Sequence, residues 1–473
     1  MFHNRTRELN RLRDALEDPR AQLFIVYGRR GVGKSALLTQ AVIDRPHIYY
    51  RASRRTLPIQ LEELTATVRE TYSEQFVPDT FTSTDEFLRF LADRAAQNPR
   101  DAVVVVIDEL PYLAQSDPGL LTAIQHWWDA NKGLANLRIF LTGSYVSFME
   151  REVLSLNAPL YNRRTGAMHL QPLTYLEAAE FFPGYSPRQR IEAYAVLGGL
   201  PSYLEQFDAD RSLDENLLRT VLRPNTYLNQ EPEWLLLQDL RSDIVYGSIL
   251  RAIASGRRKP SEIAQAIGRR SAQDVAPQLE MLQALGLVTR QVSVTDRKVP
   301  RSRRSLYWLA DNYLAFWYRY VDPLGRLIVQ DRGDLALARI KESFHEFVAI
   351  PPWEDVCRQY LWRALAREAL PEGIEFTELG PWWDDQSEID IIALDGSKAS
   401  LAGSCKWTNA PMTTRDLYDL QSAVSTAAGT LDPLPAIWYA LFSREGFEPV
   451  LQTIAANPSN RILLLTVDDL FAI

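Results

Sequence analysis

A glycine-rich segment near the start of the chain has the residue types and spacing of a phosphate-binding loop. The run Gly28-Arg29-Arg30-Gly31-Val32-Gly33-Lys34-Ser35, followed by Ala36, matches the pattern G-x-x-x-x-G-K-[ST]. The apolar stretch Leu23–Tyr27 precedes it and a helical stretch follows, as such a loop requires. We therefore predict an ATP site in which backbone N–H groups bind phosphate, Lys34 neutralises the β- and γ-phosphates and Ser35 ligates Mg²⁺. The alternative is a glycine-rich turn that matches by chance.

Two acidic residues follow the most apolar stretch of the chain. Val103–Ile107 is apolar at every position, which is typical of a strand covered on both faces. We predict that Asp108, at its end, reaches the Mg²⁺ shell beside Ser35, and that Glu109 is the general base that polarises the attacking water. Strand-end acids that only cap the next helix are the alternative.

Two hydroxyl residues close another apolar stretch, in Leu141-Thr142-Gly143-Ser144. Thr142 and Ser144 are candidate sensors of the γ-phosphate. A simple turn explains the same residues equally well.

The order of apolar and helical stretches predicts several domains. The first ~170 residues alternate strand-like and helical stretches, which indicates an α/β domain with a mostly parallel sheet. The predicted strands are Leu23–Tyr27, His47–Tyr50, Ala102–Ile107, Leu137–Leu141 and Met168–Leu170. A helical stretch follows, then three helices and a two-stranded hairpin in a winged-helix layout, then a second α/β domain, whose first strand is predicted at Glu375–Glu378. The predicted domains are 1–173 (phosphate-binding), 174–243 (helical lid), 244–325 (winged helix) and 326–473 (C-terminal α/β).

Composition and charge exclude several classes of protein. The 473 residues are 46% hydrophobic and 24% charged, which fits a folded globular chain and not a disordered one. Apolar stretches are too short to cross a membrane, no signal peptide is recognisable, and two cysteines, Cys357 and Cys405, cannot form a disulfide framework. We expect a cytoplasmic protein with no membrane partner, in which both thiols are buried packing residues.

Residues 251–304 differ from the rest in charge. They hold twelve Lys or Arg residues against four acids, whereas the whole chain has a net charge of −8. The presumed recognition helix 271–285 lacks basic residues, and these precede it or fall in the wing, at Arg297, Lys298, Arg301, Arg303 and Arg304. This layout suits contacts with a DNA backbone better than base readout. Docking on the protein's own other domains is the alternative.

Taken together, the chain resembles the archaeal-type ATPases of the AAA+ and STAND-like P-loop class, with a winged helix and a C-terminal nuclease-like, DUF234-like domain. Weaker motifs of the family are Phe2-His3-Asn4-Arg5 and Gly198-Gly199-Leu200-Pro201. The resemblance implies that Asn4, Arg5 and Pro201 flank the adenine. It also implies that Arg163 or Arg164 contacts a γ-phosphate, in cis or from a neighbouring copy; an ordinary solvated basic pair is the alternative.

The C-terminal segment resembles the PD-(D/E)xK nuclease core, in which acids hold Mg²⁺ and a lysine orients water. Asp390 and Lys406 match the core positions, and Glu354 matches an additional acid on the preceding helix. Ser404 stands where the pattern has Glu or Asp, and Glu388 can compensate, since residues i and i+2 of a strand share a face. We predict a degenerate domain, with an active nuclease as the alternative.

The leading hypothesis is an ATP- and Mg²⁺-dependent ATPase that controls a winged helix and a nuclease-like domain. DNA, bound through residues 251–304, and further copies of the chain in a homo-oligomer are the expected partners. The rivals are a STAND-like signalling or scaffold protein with slow turnover, and an ATP-gated endonuclease.

Overall fold

The computed structural model describes residues 5–72, 77–240, 244–296, 305–384, 386–427, 429 and 431–472. The chain divides into two compact units. The first comprises Met1–Pro172 with Leu200–Ser202, and the second comprises Leu173–Gly199 with Tyr203–Ile473. The boundaries of the four predicted domains stay predictions.

The first unit is built on a five-stranded parallel sheet, as the alternating sequence predicted. Its strands lie in the order β2-β3-β4-β1-β5, and each is within two residues of its predicted bounds. They are β1 (Gln22–Tyr27), β2 (Ile48–Arg51), β3 (Val103–Asp108), β4 (Leu137–Gly143) and β5 (Gly166–His169). Since the strands are parallel, their carboxyl ends meet at one edge of the sheet, where the predicted phosphate loop and acidic residues lie.

Seven helices connect and cover these strands. They are α1 (Thr6–Glu17), α2 (Lys34–Val42), α3 (Leu57–Thr71), α4 (Thr84–Gln97), α5 (Leu110–Ser116), α6 (Leu120–Asn131) and α7 (Val146–Phe148). The strand β3, which lies between β2 and β4, is buried at all six positions, which explains why Val103–Ile107 is uniformly apolar. The side chains of Val103, Val105 and Ile107 join those of β1, β4 and the covering helices in one hydrophobic core.

The chain after Pro172 is helical up to a two-stranded antiparallel hairpin. The helices are α8 (Tyr175–Ala179), α9 (Pro187–Leu197), α10 (Pro201–Leu204), α11 (Leu213–Asn216), α12 (Tyr227–Leu240), α13 (Ile244–Ala254), α14 (Pro260–Ala266) and α15 (Ala276–Ala284), and the hairpin strands are β6 (Val288–Gln291) and β7 (Leu306–Leu309). The prediction of one helix over 271–285 was wrong. A short 3₁₀ turn covers Ala272–Asp274, and α15 begins only at Ala276, because Pro277 fits the first turn of a helix but not its interior.

The C-terminal part of the second unit is a mixed sheet with helices. The helices are α16 (Asn312–Phe316), α17 (Gly325–Val329), α18 (Gly333–Val348), α19 (Glu354–Ala366), α20 (Thr414–Ala427) and α21 (Pro449–Ala455). The strands lie in the order β12-β11-β10-β9-β8. They are β8 (Glu378–Trp383), β9 (Glu388–Asp395), β10 (Lys398–Lys406), β11 (Asp432–Ser443) and β12 (Ile462–Thr466).

The first strand of this sheet was predicted at Glu375–Glu378, and this prediction was wrong. The strand runs from Glu378 to Trp383 and includes Pro381, a residue that normally ends strands. The proline is tolerated because β8 is an edge strand, and because the register with β9 shifts between Gly380 and Trp382.

Candidate functional site

The phosphate loop turns between β1 and α2, and glycine is required at its turning points. Gly31 and Gly33 have φ angles of 81° and 98°, in the left-handed region that side chains disfavour. A Cβ atom at Gly31 would lie 2.3 Å from Ser202 Oγ, and one at Gly28 would lie 2.4 Å from Leu170 O. Val32 is buried, while Arg30 and Ala36 are exposed. The loop therefore forms a cradle bounded by backbone, which fits a phosphate group.

Lys34 is the first residue of α2 and is buried, with 4% of its surface exposed. Its Nζ atom donates hydrogen bonds to Gly28 O (2.8 Å), Arg29 O (3.2 Å) and Ser144 Oγ (2.8 Å). Burial lowers the pKa of Lys34, while the Glu109 and Asp108 carboxylates oppose that change. The ammonium is thus held inside the loop by neutral oxygens and is available to an anion that enters it.

Asp108 lies at the end of β3 and is fully buried. Three hydroxyls donate to its carboxylate: Ser35 Oγ at 2.7 Å, Thr142 Oγ1 at 2.5 Å and Tyr49 OH at 3.2 Å. Burial, followed by the charge of Asp108, raises the pKa of Tyr49, so this phenol stays a donor. The structure therefore brings Ser35 and Asp108 together, as the sequence predicted for a metal site.

Glu109 adopts a left-handed backbone conformation (φ 58°) immediately before α5. Its side chain does not cap this helix. Instead Ser144 N donates to Glu109 Oε2 at 3.0 Å, and Ser144 Oγ donates to Oε1. The backbone N–H of Glu109 donates to Thr142 Oγ1 at 3.3 Å. Thr142 is thus hydrogen-bonded to Asp108 and Glu109, and Ser144 to Glu109 and Lys34. Their role as sensors of the γ-phosphate stays a prediction.

The predicted adenine-flanking residues lie against the phosphate loop. Arg5 is buried, and its Nη2 atom donates to Val32 O (3.1 Å) and Gln171 O (2.7 Å). Pro201 Cγ would lie 3.8 Å from a Cβ atom at Gly33. Asn4 lies outside the described residues, so its role stays a prediction, as do the adenine contacts of Arg5 and Pro201.

Arg163 and Arg164 are both engaged in local contacts. Arg163 forms an ion pair with Asp129 (Nη2–Oδ2 2.9 Å), and the hydrogen bonds to this carboxylate raise the pKa of Arg163. Arg164 donates to Tyr161 O at 2.9 Å, and its guanidinium lies 4.5 Å from the centre of the Tyr161 ring. A contact of either residue with a γ-phosphate stays a prediction.

Sequence reasoning missed Tyr49 and Arg51, which reach Asp108 from the neighbouring strand. Both lie on β2, two residues apart and therefore on one face of the strand. The Arg51 backbone is in register with Asp108, and Arg51 Nε lies 4.0 Å from Asp108 Oδ2. The sequence did carry a signal, since a tyrosine and an arginine alternate with buried residues at the end of this strand.

The C-terminal domain holds a separate group of predicted residues. Asp390 Oδ2 accepts hydrogen bonds from Cys405 N (2.7 Å) and Ser404 Oγ (3.3 Å), and burial raises the pKa of Asp390. Glu354 Oε2 lies 3.7 Å from Arg358 Nη1. Burial, and then the charge of Asp390, raises the pKa of Glu354 to about 8.

The remaining residues predicted for this domain lie at its surface or in its core. Lys406 and Glu388 are exposed, whereas Cys357 and Cys405 are buried free thiols, as predicted. Among the described residues, no three His, Cys, Asp or Glu side chains form a group that could hold a metal ion. Over the same residues, no helix has the length and apolar character needed to cross a membrane.

Comparisons with known proteins agree with the fold of the first unit. Residues 2–207 match a family described as an ATPase domain predominantly from Archaea, and residues 317–418 match a family of archaeal and bacterial proteins of unknown function. An uncharacterized protein of Methanocaldococcus jannaschii, MJECL04, is 28% identical over 408 residues, which cover 86% of this chain and 88% of that protein.

Two solved structures are similar to a large part of the chain. The Walker-type ATPase PABY2304 of Pyrococcus abyssi is 23% identical, with a TM-score of 0.51, over 67% of this chain and 96% of that one. The ORC2 protein of Aeropyrum pernix is 15% identical, with a TM-score of 0.44, over 71% and 96%. The first likeness supports the fold alone, and the second is too distant to support any conclusion.

The parallel sheet, the glycine-rich loop with Lys34, and the acids at the end of β3 define a P-loop ATPase. Within this class, the chain carries an archaeal-type ATPase domain in its N-terminal part and a DUF234 domain in its C-terminal part.

Proposed function

We propose that the chain hydrolyses ATP with Mg²⁺ at the phosphate loop of the first unit. The observation that carries this proposal is the 2.7 Å hydrogen bond between Ser35 Oγ and Asp108 Oδ2, which joins the loop to the end of β3. It places a hydroxyl and a buried carboxylate side by side, and Mg²⁺ in nucleotide sites prefers such oxygen ligands. When bound there, Mg²⁺ would neutralise charge on the phosphate oxygens.

The remaining side chains have complementary roles in this proposal. The backbone N–H groups of Gly28–Ser35 bind phosphate, and Lys34 exchanges its bonds to neutral oxygens for bonds to the β- and γ-phosphates. Glu109 acts as general base once its oxygens are released from Ser144, and Thr142 orients both acids through their hydrogen bonds with its hydroxyl.

Metal-dependent turnover tests this function. The wild-type chain should hydrolyse ATP in Mg²⁺ and not in excess EDTA, and Asp108→Asn should lower the rate by roughly 100-fold or more, because the substitution removes a metal-side charge. Asp93→Asn, which changes an exposed acid of α4, is the matched control and should behave as wild type. Equal rates of wild type and Asp108→Asn, or hydrolysis that persists in EDTA, would contradict the proposal.

We further propose that the nucleotide state controls the α13–β7 segment together with the C-terminal domain. In the second unit Val294 N donates to Pro381 O at 2.9 Å, and the Val294 side chain packs against the core of the C-terminal sheet. These contacts support docking of the hairpin on the C-terminal domain. Slow turnover of bound ATP would favour the STAND-like form of this control over continuous hydrolysis.

Contact with a DNA backbone through residues 251–304 is the second candidate, and the positive charge of this segment favours it. The helix α15 exposes Glu280 and Met281 and has no Lys or Arg, so phosphate contacts would fall to other residues. The wing residues Arg297, Lys298, Arg301, Arg303 and Arg304 lie outside the described residues. A homo-oligomer and a cytoplasmic location stay predictions.

For the C-terminal domain we propose a degenerate nuclease-like site. Ser404 offers a neutral hydroxyl where a metal-binding acid is required, and it donates to Asp390, as does the Cys405 N–H. Arg358 already provides a positive charge beside Glu354. This arrangement supports a binding or scaffolding role for the domain over cleavage, because hard cations need several oxygen ligands with at least one or two carboxylates.

A further inference from the structure

Arg51 lies at the phosphate edge of the first unit. It is the last residue of the edge strand β2, and its backbone is in register with Asp108 on β3. The next residue continues this pairing, since Ala52 N donates to Asp108 O at 2.9 Å. The strand thus fixes the backbone of Arg51 beside the acid that we assign to the metal.

The Arg51 guanidinium is free to bind an anion. Its side chain is 69% exposed, and its one contact with a described residue is the ionic one of 4.0 Å to Asp108. That distance exceeds a hydrogen bond. Asp108 does not depend on Arg51, because three hydroxyls already donate to its carboxylate. The five N–H donors of the guanidinium, which match phosphate oxygens well, are therefore uncommitted among the described residues.

The charges at this edge favour an anion. Lys34 is influenced by the charges of Glu109 and Asp108, Arg51 lies 4.0 Å from Asp108, and Arg30 on the loop adds a further positive charge. The influence of these cations is visible at Lys34: burial lowers the pKa of Lys34 most, and Arg51 and Arg30 lower it further. An entering phosphate would relieve the repulsion among the three cations.

The other arginines considered for this role have partners elsewhere in the first unit. Arg163 is hydrogen-bonded to Asp129, and Arg164 to the backbone oxygen of Tyr161. A contact with phosphate would require either residue to give up these bonds. The Arg51 side chain has no hydrogen bond to lose within the described part of the chain.

We propose that Arg51 recognises the γ-phosphate of ATP from within the same chain, and so distinguishes ATP from ADP. This inference rests on the proposed function, because it assumes that the loop binds ATP. It adds a residue on β2 to a site otherwise built from the loop, β3 and β4.

Calorimetric titration of the full chain with AMP-PNP and with ADP, each with Mg²⁺, tests the inference without relying on turnover. Arg51→Ala should weaken AMP-PNP binding by roughly 10- to 100-fold, which corresponds to one charge-assisted contact, and leave ADP affinity within about twofold. The AMP-PNP affinity of Arg51→Lys should lie between those of wild type and Arg51→Ala, since lysine keeps the positive charge but lacks the paired N–H donors of the guanidinium. Arg55→Ala is the matched control. Arg55, like Arg51, is an exposed arginine, and it lies four residues after the end of β2, but it forms an ion pair with Glu63.

The outcomes separate this inference from the proposed function. A wild-type chain that binds neither nucleotide overturns both. If the wild type binds both, an Arg51→Ala variant with unchanged AMP-PNP affinity, or with equal losses for AMP-PNP and ADP, overturns the role of Arg51 and leaves the ATP site standing. Thermal unfolding of each variant establishes that it is folded.

Discussion

Arg5 supports the phosphate loop from outside the motif. Its guanidinium donates to Val32 O within the loop and to Gln171 O just after β5, and it is buried. Charged donors to buried carbonyls stabilise more than neutral ones, and removal leaves the acceptors unsatisfied. The arginine therefore holds the loop in place, whether or not it also flanks the adenine.

The substitution Arg5→Ala should destabilise the first unit. We expect a loss of about 2 kcal/mol, which corresponds to a fall of roughly 4–8 °C in its thermal unfolding midpoint, measured by calorimetry. Arg7→Ala is the control, because Arg7 is exposed on the same helix. An unchanged midpoint with weakened ATP binding would instead support direct contact with the adenine.

At the residue scale, the sequence predicted those roles that depend on neighbours along the chain. Lys34 and Ser35 were identified by their spacing, and Asp108 and Glu109 by their position after a buried strand. Tyr49 and Arg51 were missed because their proximity to Asp108 depends on which strands are neighbours in the sheet. Strand order follows from packing of the whole unit, and local sequence does not encode it.

At the scale of elements, the C-terminal sheet and α19 bring like charges together in a buried place. Glu354, at the start of α19, is influenced by Asp390 and Glu388 of β9, which raise its pKa, and by Arg358 and Arg258, which lower it. Burial dominates, and the pKa of Glu354 rises from 4.5 to about 8. The folded state therefore binds more protons than the unfolded state between these two values.

This difference predicts a pH dependence of stability in the second unit. Because the folded pKa is the higher one, the contribution of Glu354 is fully present below pH 4.5 and is lost as the pH rises towards 8. Glu354→Gln, which stays neutral, should unfold at about the wild-type temperature at pH 5, and about 2 °C or more higher at pH 8.

Scanning calorimetry at the two pH values measures this effect, and Glu372→Gln, an exposed acid after the same helix, is the control. If the unfolding temperatures of wild type and Glu354→Gln change equally with pH, the folded protein does not raise the pKa of Glu354, and the prediction is wrong.

Elements were predictable where their pattern was strong. The strands β1 and β3 were predictable because each contains an unbroken apolar run, Leu23–Tyr27 and Val103–Ile107. The strand β8 was misplaced because Pro381 is compatible with a strand only at a sheet edge with an irregular register. Both conditions are properties of the assembled sheet.

At the scale of the whole molecule, the two compact units divide the chemistry. The first holds the described residues proposed for ATP hydrolysis, from Gly28 to Ser144. The segment Leu200–Ser202 also belongs to it, although the chain on both sides of this segment belongs to the second unit. Within the first unit, Ser202 N donates to Gly31 O at 3.4 Å, so this segment is hydrogen-bonded to the phosphate loop.

The central claim is that Lys34 binds the nucleotide while Glu109 acts in the chemical step. The most direct test compares Lys34→Ala with Glu109→Gln by equilibrium binding of ATP and single-turnover hydrolysis in Mg²⁺. Lys34→Ala should bind ATP at least about 10-fold more weakly than wild type, because it lacks the buried charge. Glu109→Gln should bind ATP with close to the wild-type affinity. It should hydrolyse ATP at least about 100-fold more slowly, because it lacks the base. Equal loss of ATP binding in both variants, or undiminished hydrolysis by Glu109→Gln, would contradict the account.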